Sequence, residues 1–160
     1  MREASAEQGL VILVEPLEQS GAREVVRRFF VAVQSESTAE LEAVLSSEAV
    51  LHAGPGATTQ PAVKVWASRF ERLDYQELDA RRVFREHELE LYEPRELAAM
   101  TPPRHFVLAP RGSELLAVAH VHEPRVVGAP RRFGARIEFV VERTPEGYRI
   151  REVFEDFSLK

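Results

Sequence analysis

Along the first half of the chain apolar residues return at the three- and four-residue steps of a helix, and along the second half they alternate with polar ones. Between Ser20 and Val33, Ala22, Val25, Val26, Phe29, Phe30 and Val33 share one helical face while Arg23, Arg27 and Arg28 take the other, which predicts an amphipathic first helix. Ser37, Thr38, Ala39 and Glu40 have the order of a capping box, so a short second helix opens there with Leu41, Val44 and Leu45 as its stripe. Ala49 to Ala53 reads as a brief strand and Gly54, Pro55 and Gly56 as a turn. Thr59 and Pro61 suit the cap and first turn of a third helix carrying Val63, Trp66, Phe70 and Leu73.

After Asp79 the period falls to two. From Arg85 to Tyr92, Glu86, Glu88 and Glu90 interleave with His87, Leu89 and Leu91, the pattern of a half-buried strand. A proline-rich loop ends at Pro102 and Pro103, and further β runs follow at His105 to Ala109, Glu114 to Glu123, Arg132 to Arg143 and Tyr148 to Phe157, separated by Pro/Gly turn signals. Within the third of these, Phe133, Ala135, Ile137, Phe139 and Val141 share one face and Arg136, Glu138, Val140 and Glu142 the other. Helices first and hairpin-linked strands afterwards predict an α+β fold with three N-terminal helices packed on a curved, mostly antiparallel sheet.

Composition narrows the class. Hydrophobic residues at 44% and charged ones at 29% are globular usage, and the absence of cysteine removes disulfides, thiolate metal sites and cysteine nucleophiles. A net charge of -5 without any polybasic run speaks against nucleic acid or an anionic membrane as partner. The apolar run Leu10 to Val14 is far below the ~18 residues of a spanning helix. Glu3, Glu7 and Glu15 surround it where a secretory signal has a basic start, so the expectation is a cytoplasmic protein. Residues 1–19 then form an arm with a short apolar strand closed by Pro16, its first eight residues frayed, ahead of one domain over residues 20–160.

The order of elements resembles the nuclear transport factor 2-like superfamily, which includes ketosteroid isomerases, SnoaL-like cyclases, scytalone dehydratases and non-enzymatic modules. The resemblance runs from Ser20 to the C-terminus, on the opening Val25 to Phe29, Leu41 to Leu45 and Ala49 to Ala53, and on the strands around Pro145 and Gly147. It implies a cone-like α+β barrel with a pocket between helices and concave sheet. It also implies that the isomerase positions are mostly emptied. The catalytic carboxylate falls on Ala53 with His52 beside it, the oxyanion tyrosine on Phe29, and the partner acid on Phe139 or Glu138 according to register.

Three sets of residues carry candidate chemistry. His52, next to the family's catalytic position, is a candidate general base, although alternation puts it opposite Ala53. Of the late carboxylates Glu152, Glu155 and Asp156, Asp156 shares parity with Ile150 and Phe154 and is the candidate inward acid. His120 and His122 lie two apart on a predicted strand, on one face, and suit a shared metal, a polar ligand contact or an ordinary strand surface; no metal or cofactor is assigned. Phe29, Trp66, Phe70 and Phe139 are candidate walls for a small hydrophobic ligand or plain core. Three readings follow: a small-ligand-binding domain without isomerase chemistry, a SnoaL-like cyclase, isomerase or dehydratase using His52 or Asp156, and a non-enzymatic homo-oligomeric module. A homodimer through the charged outer sheet face is the expected assembly.

Overall fold

The computed structural model describes residues 2–4, 12–14, 17–53 and 59–157, with side chains from residue 19 onward. Helix α1 spans Leu17–Gln34 and α2 Thr38–Val44, the latter capped by Ser37, whose hydroxyl accepts from the Glu40 N–H at 3.1 Å. Strand β3 (Leu45–Ala53) follows directly, then β4 (Thr59–Pro61), α3 (Ala62–Arg72), α4 (Ala80–Val83), β5 (Glu90–Tyr92), α5 (Pro94–Ala98), β6 (Leu115–His120), β7 (Arg136–Thr144) and β8 (Gly147–Glu155). In the arm, β1 (Arg2–Ala4) pairs antiparallel with β2 (Ile12–Val14), so Arg2 to Ala4 are paired rather than frayed. Leu10, Val11 and Pro16 lie outside the described residues.

The main sheet has the order β4-β3-β8-β7-β6-β5 and stays open, with β3 parallel to β8 and every other pair antiparallel. Helices cover its concave face, where Phe29, Phe30, Leu41, Leu51, Trp66, Phe139, Ile150 and Val153 form the principal core. The architecture is therefore α+β, helices on a curved mixed sheet, as the periodicity predicts. Most of the favourable free energy of the fold comes from this buried apolar surface.

Several predicted elements take other forms. Thr59 is not a helix cap: it pairs with His52 on β4, and α3 starts after Pro61 with no side chain capping it. Arg85 to Tyr92 is a strand only at Glu90–Tyr92. Phe84 bridges Val121 and Glu90 pairs with Val118, so five residues on one side face only Ala119 and His120 on the other. The surplus is taken up as a 3-10 turn at Glu86–Glu88. Ahead of it, Asp79 accepts from the Arg81 N–H and caps α4.

His105 to Ala109 is not a strand either. The Val107 and Leu108 amides donate to the Glu138 carboxylate, each at 2.9 Å, instead of to a ladder. This pins the connection 93–113 over the convex sheet face, where Leu108 joins Leu116, Val118, Val140 and Phe154 in a second apolar cluster flanked by Tyr92, Leu97 and Phe106. Glu138, expected on a charged outer face, is fully buried under this connection and takes a third bond, 3.1 Å, from Arg136. Glu138→Ala is expected to cost about 1–3 kcal/mol, because the buried Leu108 amide and the half-buried Val107 amide lose their acceptor. Urea unfolding reads the loss, and amide exchange at Val107 and Leu108 shows whether the connection lifts.

Candidate functional site

The resemblance implies a pocket between the helices and the concave sheet. In that space α1 projects Phe29, α3 projects Trp66, β7 projects Phe139 and the segment after α3 projects Tyr75, each with no accessible surface. They meet edge to face: Phe29 lies 5.1 Å from Phe139 and 5.4 Å from Trp66, Trp66 lies 5.7 Å from Tyr75, and Tyr75 lies 5.3 Å from Phe133. Rings at these separations and angles satisfy one another's quadrupoles and leave no water-sized gap against their surfaces.

One charged pair sits among these rings. Arg69, on the stripe Ala62, Trp66 and Arg69 of α3, donates to Glu155 at 2.5 Å, with the two side chains 3% and 0% exposed. The second Glu155 oxygen accepts from the Gly134 N–H at 2.7 Å. The fit there is tight: a Cβ would lie 3.0 Å from Glu155 Cγ and 3.2 Å from the Asp156 carbonyl oxygen, so a side chain would push on both by a few tenths of an ångström. The Arg69 guanidinium also stacks over Trp66 and Phe157, at 4.5 and 4.9 Å from the ring centres. Burial pushes the Glu155 carboxyl up, opposed by Arg69 and the Gly134 N–H. Burial also raises the Tyr75 phenol, whose hydroxyl donates to the Arg132 carbonyl at 2.7 Å. Trp66 Nε1 is buried with no hydrogen-bond partner.

The candidate residues divide between the two sides of the sheet. Phe29, Trp66 and Phe139 come together inside, and Phe70 is half-buried beside Trp66 and Tyr75. His52 is on the convex face, 2.6 Å from Glu152, while its neighbour Ala53 packs on the inner core. His120 and His122 also leave the aromatic interior, bonding Glu90 and Glu88 at 2.5 Å each. Asp156 is exposed, contrary to the parity argument. The reason is a bulge in β8: Val141 pairs with Ile150 and Val140 with Glu152, so Arg151 is extra and the alternation shifts by one. Glu155 becomes the inward carboxylate. The isomerase register is settled in the same way, with Phe139 inward and Glu138 outward.

Sequence reasoning misses Arg69 and Tyr75, and among the late carboxylates it prefers Asp156 to Glu155. For Arg69 a signal exists, since it lies seven residues after Ala62 and three after Trp66 on the buried face. Glu155 has none without knowledge of the bulge.

A second polar cluster surrounds Glu90. Burial alone would raise its carboxyl, but hydrogen bonds from Tyr92, His120 and Arg104 outweigh it and hold the group at about 2. A carboxyl depressed by folding stabilises the fold above its ordinary value of 4.5, and that contribution disappears as pH falls toward about 2. Glu90→Gln is expected to flatten the pH dependence of stability in this window, as read by urea unfolding at a series of pH values. Among the described residues no group of three or more His, Asp or Glu is placed to hold a metal, and no helix is long and apolar enough to cross a membrane.

An NTF2-like protein with a cystatin-like fold from Novosphingobium aromaticivorans superposes with a TM-score of 0.55 at 16% identity, covering 86% of this chain and 79% of that one. A second protein from the same organism, provisionally described as an aromatic ring hydroxylase, superposes with a TM-score of 0.51 at 15% identity, covering 92% and 94%. No family model matches the sequence, and no curated protein matches it. The fold is that of the nuclear transport factor 2-like proteins.

Proposed function

We propose that this chain is a non-enzymatic binding module that engages its partner at the surface, with the space between helices and sheet given over to core. The observation that carries this reading is the mutual packing of Phe29, Trp66, Tyr75 and Phe139, all without accessible surface. The candidate bases point the same way, since His52 is paired on the convex face and Asp156 is exposed, each outside that interior. Fold likeness carries no activity over from the similar structures.

Thermal unfolding with a panel of flat apolar compounds tests the reading. A ligand of the native state raises Tm with concentration in proportion to ln(1 + [L]/Kd). The expected result is an unchanged Tm; a rise that follows this logarithm would overturn the reading in favour of small-ligand binding. That second reading has one observation in its favour: the unpartnered Trp66 Nε1 beside the Arg69–Glu155 pair, which a ligand acceptor would satisfy.

A second copy of the chain belongs to the surface reading only on the strip along β3 and β8 that carries His52 and Glu152, because connection 93–113 covers the cluster around Glu138. A solution mass of twice 18.1 kDa supports that pairing. A mass of 18.1 kDa removes the pairing and leaves the surface reading intact.

A further inference from the structure

Arginine is gathered on one part of this acidic molecule. The long connection between β6 and β7 curls into a cleft of about 350 Å³, lined in part by Arg125, Arg131 and Arg132. A shallower cleft of about 670 Å³ shares Val121, Glu123 and Pro124 with it and adds Arg81, Arg82 and Arg85 from α4 and the residue that follows Phe84. Six arginines thus line two adjoining clefts of a chain whose net charge is -5.

Glu123 is the one acidic residue in either lining, and its charge is already engaged. It accepts from the backbone N–H groups of Arg132 and Phe133 at 3.0 to 3.1 Å and lies 3.8 Å from the Arg132 guanidinium. Arg82, Arg85 and Arg132 have further acidic neighbours in Asp79, Glu88 and Glu77, so four carboxylates face six guanidinium groups. Arg81 and Arg125 form no ion pair among the described residues, and Arg132 Nη1 is buried without a hydrogen-bond partner. Between the charges the lining is apolar, and Val126 and Val127 at the tip of the connection are 63% and 104% exposed.

We propose that these joined clefts dock an acidic peptide segment of a partner protein, its carboxylates meeting Arg81 and Arg125 and its apolar side chains resting on Val126, Val127 and Pro124. Guanidinium groups pair carboxylates in a bidentate way, and exposed valines supply the apolar contact that charge alone lacks. A nucleic acid fits less well. Its charge continues at about one per 1.7 Å of duplex, well beyond six arginines on a chain whose net charge is -5. The proposal rests on the surface reading above and names the surface and the partner's chemistry.

The test is fluorescence anisotropy with a labelled peptide of alternating aspartate or glutamate and leucine, at low and at physiological salt. The peptide is expected to bind saturably, and the R81E/R125E variant to bind at least about tenfold more weakly with an unchanged Tm, since charge reversal replaces attraction with like-charge repulsion. The same peptide with asparagine and glutamine in place of its acids is expected to lose affinity by a similar factor. Absence of saturable binding, equal binding by R81E/R125E, or tighter binding of a single-stranded oligonucleotide of equal charge each overturns the proposal. None of these outcomes touches the surface reading, which fails separately if an apolar compound binds between helices and sheet.

Discussion

Arg69→Ala is expected to cost about 3–5 kcal/mol of unfolding free energy, because it strands a carboxyl with no accessible surface. Only the Gly134 N–H then remains to Glu155, and the group meets the loss by taking up a proton. A carboxyl whose folded pKa is raised further stabilises the fold below its unfolded pKa and loses that contribution as pH rises. The variant is therefore expected to lose more stability at pH 8 than at pH 5, as measured by urea unfolding at both. Replacing both partners, Arg69→Met with Glu155→Leu, is expected to cost less than Arg69→Ala alone, since no charge is then left buried. A double variant costing the sum of the two single changes would contradict this account of the pair.

Phe139→Ala is expected to cost about 3–5 kcal/mol, the range for truncating a fully buried aromatic ring. Phe139 has no accessible surface and packs on Phe29 at 5.1 Å and on Phe30 at 6.2 Å, so the space left behind is walled by two buried rings of α1. An apolar cavity of this kind stays dry and takes up a small aromatic guest. Benzene is accordingly expected to raise the Tm of Phe139→Ala and to leave that of the wild-type protein unchanged. A variant that loses under 1 kcal/mol would mean that the ring packs loosely, which the account excludes.

What the sequence reveals and what it hides divide along physical lines. Local signals are legible: the apolar stripe of α1, the Ser37 cap of α2 and the inward face of β7 at Ile137, Phe139 and Val141 all stand where period and capping chemistry place them. Features that depend on a distant strand are not. Arg151 looks like any strand residue until β7 is laid beside β8, yet it moves the inward carboxylate from Asp156 to Glu155. Glu86 and Glu88 keep an alternating pattern, but the bridge of Phe84 to Val121 leaves too few facing residues for a strand to continue. Glu138 reads as a solvent charge, and it is buried because a connection thirty residues earlier supplies amides that need an acceptor.

The candidate site follows the same division. The aromatic residues Phe29, Trp66 and Phe139 are recoverable from helical and strand spacing, and they do meet. That they meet one another, rather than opening around a ligand, is a matter of volume between layers, which no one-dimensional pattern contains. The histidines His52, His120 and His122 satisfy the spacing rules for chemistry, but each is held by a glutamate away from that interior.

Trp66 is the single tryptophan of the chain and lies in the contested space, so its emission reports directly on whether anything enters there. Titration of the native protein with a flat apolar compound, followed at the Trp66 emission band, is the measurement that tests the central claim most directly. A filled interior predicts emission that stays blue-shifted and unchanged to the solubility limit of the compound. Saturable quenching or a saturable band shift, lost when the wild-type protein is unfolded, would contradict it and place the binding function between the helices and the sheet.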